Sequence, residues 1–166
     1  MLNLMASYIK VHGMFSDKWI RRFLNVADIV SSWSKDPSTK VGAVIVDDRK
    51  RIISVGYNGF PRGIDDSTER YEDRQLKYSL VSHAERNALD NADVPLSNTT
   101  MFVTLMPCSD CAKGIIQRGI KKIVVAPLPE KFRNYDWDTD VYKWKITKLM
   151  FEEAGVSVVR QEDIHI

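Results

Sequence analysis

The spacing of hydrophobic and polar positions predicts a chain of alternating helices and strands. Ser16 and Asp17 are suitable N-terminal caps, and after them apolar residues recur every three or four positions, as on one face of an amphipathic helix. These residues are Trp19, Ile20, Phe23, Leu24, Ala27 and Val30. We expect this apolar face to pack into the core.

Short apolar runs further along the chain predict five strands. The runs cover residues 41–46, 52–57, 99–105, 122–126 and 156–159. Polar residues 47–50 separate the first two runs, which predicts a hairpin. Helical spacing follows both His83 and Cys108. It also extends over residues 138–154, where Gly155 closes the last helix. This order of elements predicts an α/β sandwich with a mixed sheet of about five strands.

Length and composition agree with one compact domain. A chain of 166 residues with 44% hydrophobic residues can bury a sizeable core. We expect a single domain over residues 16–166, preceded by an amino-terminal extension over residues 1–15. Because no stretch is long and apolar enough to cross a bilayer, we expect no membrane partner.

The charge pattern argues against nucleic acid as a partner. The formal net charge is only +2, whereas binding to nucleic acid usually needs a strongly basic face. Residues 65–77 are densely charged, a pattern more typical of a solvated helix or loop than of a binding element. The chain has two cysteines, both in one motif, so no disulfide framework is available and we expect a cytoplasmic location.

Two motifs supply candidate metal ligands, His83-Ala84-Glu85 and Pro107-Cys108-Ser109-Asp110-Cys111. Cys108 and Cys111 are three residues apart in the first turn of a predicted helix, so both sulfurs lie on one face. The amino end of that helix helps to keep them as thiolates. Together with His83 they provide three ligands, one fewer than an enclosed structural zinc site has. A hydrolytic site keeps the fourth position for water, which the metal acidifies.

Glu85 is an acidic group that the metal does not need as a ligand. Residues at i and i+2 of a helix do not face each other, so we expect Glu85 to point away from the direction of His83 and to carry protons. The combination H-x-E…P-C-x-x-C is the signature of zinc-dependent nucleobase deaminases. A Cys-x-x-Cys pair alone could be a redox dithiol, but that interpretation leaves His-x-Glu unexplained.

Four blocks of sequence carry a resemblance to a known family. They are SKDPSTKVGA (34–43), GYNGFPRG (56–63), HAERNA (83–88) and PCSDCAK (107–113). Over residues 19–159 the chain resembles the cytidine and deoxycytidylate deaminases, and more closely the deoxycytidylate (dCMP) branch. The resemblance implies a three-layer α/β/α sandwich and a homo-oligomer, either a dimer or a hexamer. It also implies one catalytic Zn²⁺ bound by His83, Cys108 and Cys111.

The activity implied by the resemblance is the hydrolytic deamination of dCMP to dUMP with release of ammonia. Water activated by zinc attacks C4 of cytosine, while Glu85 passes a proton to ring N3 and assists departure of the amine. The backbone near Ala84 and the carbonyl of Pro107 would bind the pyrimidine edge. Alternative substrates are a free cytosine nucleoside, a modified pyrimidine nucleotide or another small aminated heterocycle. A polynucleotide editor and a noncatalytic zinc or redox protein fit the sequence less well.

Two further positions are candidates for binding a pyrimidine nucleotide. Asn58 offers a donor and acceptors for a sugar hydroxyl and a base edge, although Tyr-Asn-Gly is also a common turn. The resemblance favours the binding role. Lys40 follows Ser38 and Thr39, and together they combine a cation with two hydroxyl groups suited to a monophosphate. The alternative for Lys40 is a solvated lysine at the end of a strand.

The chain also departs from the dCMP deaminase pattern. It lacks the additional cysteine and histidine residues before His83 that hold a second, structural zinc in some members, so we expect one zinc ion only. Arg86 stands where leucine often follows the glutamate, and it could contact phosphate or pair with an acidic residue across a subunit interface. The aromatic-rich stretch 132–137 is longer than its usual counterpart. These changes leave the substrate and any control by nucleoside triphosphates open.

Overall fold

A five-stranded mixed sheet lies at the centre of the protein. The computed structural model describes residues 14–136, 138–139 and 142–161 of the 166-residue chain. The strands are β1 (Gly42–Asp47), β2 (Ile52–Tyr57), β3 (Thr99–Val103), β4 (Lys122–Val125) and β5 (Ser157–Arg160). All five predicted strands are confirmed, with ends that agree to within about two residues.

The strands are arranged in the order β2-β1-β3-β4-β5. β1 is antiparallel to both β2 and β3, whereas β3, β4 and β5 are parallel. The predicted hairpin joins β1 to β2, and Oδ1 of Asp47 accepts hydrogen bonds there from the backbone N–H groups of Arg49 and Arg51. The sheet is therefore mixed, as the order of elements predicts.

Six α-helices and one 3₁₀ turn surround the sheet in the described residues. The helices are α1 (Asp17–Ser31), α2 (Thr68–Glu72), α3 (Arg74–Leu80), α4 (Ala84–Asp90), α5 (Ser109–Gln117) and α6 (Trp144–Glu153), and the 3₁₀ turn covers Glu130–Phe132. None of these helices has the length and apolarity that crossing a membrane requires.

The two faces of the sheet are covered by different helices. Successive strand residues point to opposite faces, so Val44 and Val46 of β1 pack with α1 while Ala43 and Ile45 face α4, α5 and α6. All four residues are fully buried. Helices on both faces of the sheet confirm the predicted three-layer α/β/α sandwich.

The end of the predicted amino-terminal extension belongs to the core. Phe15 is fully buried, and its ring packs edge-on against Phe23 and Phe102 with centroid distances of 5.7 and 5.5 Å. Residues 1–13 of the extension lie outside the described residues. The boundary between extension and domain stays a prediction.

The last helix begins later than the sequence predicts, at Trp144 instead of residue 138. Lys143 has a φ of 49°, a left-handed conformation that a right-handed helix does not contain. Asp138 remains outside the helix, where its Oδ1 accepts a hydrogen bond of 2.7 Å from the backbone N–H of Lys145. Asp138 therefore holds the first turn of α6 in place without being part of it.

The charged segment 65–77 is less solvated than its composition indicates. It contributes α2 and the first half of α3, and the side chain of Asp73 caps α3 by accepting hydrogen bonds from two backbone N–H groups. Tyr71 and Lys77 are buried, with 4% and 5% of their surface exposed. The prediction of a solvated segment is wrong for these two side chains.

Candidate active site

Helices α4 and α5 bring the three candidate metal ligands together. His83 is the N-cap residue of α4, Cys108 is the N-cap residue of α5, and Cys111 lies in the first turn of α5. Nδ1 of His83 is 3.4 Å from the sulfur of Cys108 and 3.4 Å from that of Cys111. The three ligand atoms lie within 4.8 Å of one another. The predicted ligands therefore converge on one point.

This arrangement fits a tetrahedral zinc ion. Zn–S bonds of about 2.3 Å and Zn–N bonds of about 2.0–2.1 Å place sulfur and nitrogen about 3.5 Å apart at a tetrahedral angle. The observed separations of 3.4 Å match this geometry. In the part of the chain that the structure describes, no fourth histidine, cysteine or carboxylate joins the group. The protein thus offers three ligands, as a catalytic zinc site requires.

The two cysteine sulfurs differ in proton affinity. Hydrogen bonding with Cys111, together with His83, lowers the pKa of Cys108 to about 4. The same sulfur–sulfur hydrogen bond raises the pKa of Cys111 well above its ordinary value. The hydrogen bond to Cys108 also raises the pKa of His83, to about 9. Metal binding requires thiolate sulfurs and a neutral imidazole, so a bound metal ion would displace the protons of both Cys111 and His83.

Glu85 lies in the first turn of α4, and only 4% of its surface is exposed. It lines the same cavity as His83, so the predicted divergence of these two side chains is wrong. His83 has extended backbone angles, φ −72° and ψ 157°, and the helical i, i+2 rule does not apply to a cap residue. Burial raises the pKa of Glu85 to about 7. A carboxyl group with such a pKa can take up and release a proton near neutral pH.

A cavity opens beside these residues. Its walls come from the loop before β1, the residue after β2, helix α3, the start of α4 and the segment after β3. The predicted substrate-binding residues Ser38, Asn58 and Ala84 all line it. The structure therefore brings three of the five predicted substrate contacts to the cavity that contains His83 and Glu85.

Asn58 is buried in the wall of this cavity and fixes the loop before β1. Its Oδ1 accepts a hydrogen bond from the backbone N–H of Val41 at 2.8 Å, and its Nδ2 donates to the carbonyl of Thr39 at 2.9 Å. The hydroxyl of Ser34 donates to the carbonyl of Asn58 at 2.7 Å. The side chain thus has a structural role in addition to its place in the wall.

The lysine in the cavity wall is Lys77 and not Lys40. Lys40 is exposed and is not among the residues that line the cavity. Lys77 lines the cavity from α3. The composition of segment 65–77 does not distinguish this lysine from the other charged residues around it.

Pro107 is buried between two residues that line the cavity, Met106 and Cys108, but it is not itself a lining residue. Contact between its carbonyl and a base stays a prediction.

Two aromatic residues that sequence reasoning missed, Tyr78 and Tyr142, also line the cavity. Burial raises the pKa of Tyr142 to about 12, so its hydroxyl keeps its proton at neutral pH.

Arg86 has an acidic partner on its own helix. Its Nε lies 2.9 Å from Oδ2 of Asp90, and more than half of each side chain is exposed. This ion pair needs no neighbouring subunit.

In the aromatic-rich stretch 132–137, Tyr135 packs against Phe132 and Tyr142 with ring centroids 6.4 and 5.9 Å away. The stretch therefore contacts the cavity wall through Tyr142, while residue 137 lies outside the described residues.

The fold and the convergent ligands define the class of protein as a zinc-dependent hydrolytic deaminase. Residues 17–127 match the family model of the cytidine and deoxycytidylate deaminase zinc-binding region. The chain belongs to this family.

Individual relatives agree with this assignment. The chain is 43% identical over 141 residues to an uncharacterized deaminase in the luxG 3′ region of Aliivibrio fischeri, which covers 85% of this chain and 92% of the relative. It is 37% identical over 146 residues to human deoxycytidylate deaminase, covering 84% and 78% of the two chains. The crystal structure of dCMP deaminase from cyanophage S-TIM5 in complex with dCMP and dUMP has a TM-score of 0.66 at 23% identity, covering 88% and 98%. This last similarity confirms the predicted fold.

Proposed function

We propose that this protein hydrolyses dCMP to dUMP and ammonia. The observation that carries the proposal is the position of Glu85, which is buried in the same cavity as three ligand atoms converging on one point. A cytosine base that enters this cavity meets a metal site and a carboxyl group together. The identity of 37% to human deoxycytidylate deaminase supports the choice of a nucleotide substrate.

The residues divide the chemistry between them. His83, Cys108 and Cys111 would hold one zinc ion. When bound, zinc supplies a water molecule acidified enough to be a nucleophile near neutral pH. Glu85 accepts a proton from water and delivers it to ring N3 of cytosine. Glu85 next takes the proton of the new C4 hydroxyl and donates it to the amino group, so that the C4 carbonyl forms as the C4–N bond breaks and ammonia leaves. Each turnover consumes one water molecule and replaces the amino group by a carbonyl oxygen.

The remaining site residues hold the nucleotide. We assign the pyrimidine edge to the backbone near Ala84 and to the carbonyl of Pro107. Asn58 contacts the sugar and the base edge from the cavity wall, and Ser38 lies on the same wall. Lys40 is a weaker candidate for binding the phosphate than the sequence around it indicates, because its exposed side chain does not line the cavity.

Ammonia release from a substrate panel tests this function. Purified zinc-loaded protein is assayed with cytosine, cytidine, deoxycytidine, CMP, dCMP and dCTP under identical conditions. We expect the highest kcat/KM with dCMP. If kcat/KM for deoxycytidine or cytidine equals or exceeds kcat/KM for dCMP, the protein is a nucleoside deaminase and the dCMP proposal fails. Failure of the entire panel would favour a modified pyrimidine or another small aminated heterocycle.

We also propose that the chain is one deaminase domain over residues 16–166 and that it acts in the cytoplasm as a homo-oligomer, either a dimer or a hexamer. Exposed apolar side chains support the assembly: Ile29 and Trp33 are 59% and 53% exposed, and the ring of Trp33 packs edge-on against exposed Tyr57. Light scattering coupled to size-exclusion chromatography measures the oligomeric state directly.

A further inference from the structure

Lys77 is a buried cation in the active-site cavity, and the proposed proton transfers do not use it. Only 5% of its surface is exposed, and it lines the same cavity as His83 and Glu85. Burying an ammonium group costs free energy unless the group is paired. Among the described residues that line the cavity, Lys77 is the one lysine or arginine.

The loop before β1 supplies the partners of Lys77. Its Nζ lies 3.3 Å from Oδ1 of Asp36 and 3.3 Å from the hydroxyl oxygen of Ser38. The same oxygen of Asp36 accepts hydrogen bonds from the backbone N–H groups of Ser38 and Thr39, at 2.8 and 3.2 Å. The negative charge of Asp36 is thus shared among three donors. An ammonium group has three N–H donors, and these two contacts leave one donor that no hydrogen bond among the described residues uses. The ring of Tyr78 flanks the same group, with its centroid 5.5 Å from Nζ.

Two further cations lie close to this part of the wall. Lys131 donates from its exposed ammonium group to the carbonyl of Ser38 at 3.2 Å. Arg74, on α3 with Lys77, donates from its Nε to the hydroxyl of Tyr78 at 3.2 Å, and Tyr78 lines the cavity. Cations from two separate segments therefore surround Ser38 and Tyr78.

From these contacts we infer that Lys77, together with Ser38 and Lys131, binds the 5′-phosphate of the mononucleotide. The inference rests on the proposed function. A phosphate monoester carries a charge of about −1.5 to −2 at pH 7 and offers three acceptor oxygens, which match an ammonium group and a hydroxyl donor. A cytosine held with C4 at the metal ligands must direct its sugar and phosphate away from His83. Lys77 is the cation that the cavity wall presents to that phosphate.

Lys77 thereby becomes the residue that discriminates a nucleotide from a nucleoside. Deoxycytidine carries no anion, so it leaves the ammonium group with its existing partners, Asp36 and Ser38. dCMP adds a charge-assisted contact to an ammonium group of which only 5% is exposed. The effect of Lys77 must therefore appear in the ratio of kcat/KM for dCMP to kcat/KM for deoxycytidine, and not in kcat/KM for both substrates equally.

The experiment measures this ratio for the wild type and for Lys77→Met, Lys131→Met and Lys40→Met. We expect Lys77→Met to lower kcat/KM for dCMP by about ten- to a hundredfold, the range for one charge-assisted contact. Lys131 is exposed and screened by solvent, so Lys131→Met should cost about two- to fivefold. Lys35→Met is the matched control, because Lys35 lies on the same loop but pairs with Asp66 at 2.8 Å outside the cavity wall.

A second variant separates phosphate binding from folding. Lys77→Met leaves the carboxylate of Asp36 buried without its cation, whereas Asp36→Asn combined with Lys77→Met removes both charges. The amide oxygen of asparagine can still accept from the backbone N–H groups of Ser38 and Thr39. The double variant should show the same selective loss with dCMP. Calorimetry should show the same selective loss in affinity for dUMP relative to deoxyuridine.

Equal losses with dCMP and deoxycytidine in the double variant would overturn the inference and make Lys77 a positioning residue for the loop before β1. A selective loss in Lys40→Met, with Lys77→Met unchanged, would also overturn it and return the phosphate to Lys40. Failure of the proposed function is a separate result, since the wild-type protein itself would then show no preference for dCMP over deoxycytidine.

Discussion

Gly56 of β2 lies directly against the start of α4, where a Cβ atom on Gly56 would be 2.3 Å from the carbonyl oxygen of Ala84. The same atom would be 2.3 Å from the backbone nitrogen of Ala88, although real Cβ atoms essentially never approach closer than 3.0 Å. Both contacts involve backbone atoms, so no side-chain rotation can relieve them. Glycine at position 56 therefore sets the distance between the sheet and the helix that begins after His83.

Gly56→Ala should displace α4 and with it His83 and Glu85. Overpacking a buried contact costs about 1–3 kcal/mol, and we expect a loss of unfolding free energy at or above this range because the backbone itself must move. A displacement of about 1 Å at reacting groups can cost about a hundredfold in rate. Urea denaturation and kcat/KM for dCMP measure the two effects.

Gly59→Ala is the control for this prediction. A Cβ atom at Gly59 would lie 3.6 Å from the hydroxyl oxygen of Tyr71, its nearest neighbour, which is ordinary van der Waals contact. We expect Gly59→Ala to retain stability close to that of the wild type. If Gly56→Ala proved as stable and as active as Gly59→Ala, the close packing of β2 on α4 would not position the site.

Local sequence patterns predict much of the fold and of the metal site because both depend on short-range spacing. β1 is buried on both faces, and a continuous apolar run is the expected sequence of such a strand. The pair Cys108 and Cys111 lies at a helix start that its own spacing indicates. His83 precedes a helical run in the same way, but its convergence with the cysteines, 25 residues further along the chain, is anticipated by the H-x-E…P-C-x-x-C signature and not by spacing.

The remaining features depend on contacts between distant segments or on backbone angles. Lys77 is buried because Asp36, 41 residues earlier in the chain, reaches its ammonium group, and no local pattern contains that pairing. The orientation of Glu85 could not be predicted because His83 is a cap residue with extended angles instead of the first helical residue. The late start of α6 follows from the left-handed conformation of Lys143, which lysine rarely adopts.

Cys111→Ala should abolish zinc binding and reduce stability. The wild-type protein is expected to contain one zinc ion per chain, because the described residues form one group of converging metal ligands. Removing one of three protein ligands leaves a site with two, and the free energy that zinc binding contributes to folding is lost with the metal. Elemental analysis measures the zinc content, and thermal denaturation with and without a chelator measures the stability.

Asp110→Asn is the control for the zinc prediction, because Asp110 lies between the two cysteines in sequence but its side chain is 82% exposed and paired with Lys113. We expect this variant to retain one zinc ion per chain. Full zinc occupancy in Cys111→Ala, or a wild-type protein without zinc, would contradict the assignment of His83, Cys108 and Cys111 as ligands.

Glu85→Gln should separate proton transfer from metal binding. Glutamine has nearly the same shape as glutamate but cannot exchange a proton in the reaction, so the variant should fold and bind zinc normally. We expect kcat to fall by at least about a hundredfold, the scale at which general acid–base catalysis contributes. KM for dCMP should change much less, since the binding contacts assigned to Asn58, Ser38 and Lys77 remain.

Asp90→Asn on the same helix is the matched control for Glu85→Gln. Asp90 also carries a carboxylate on α4, but it is exposed and paired with Arg86, so the loss of its charge should leave kcat close to the wild-type value. Zinc content and circular dichroism establish that both variants are folded and metal-loaded before their rates are compared. A near-normal kcat in zinc-loaded Glu85→Gln would show that the carboxyl group of Glu85 takes no part in the reaction. The proton transfers would then belong to another group.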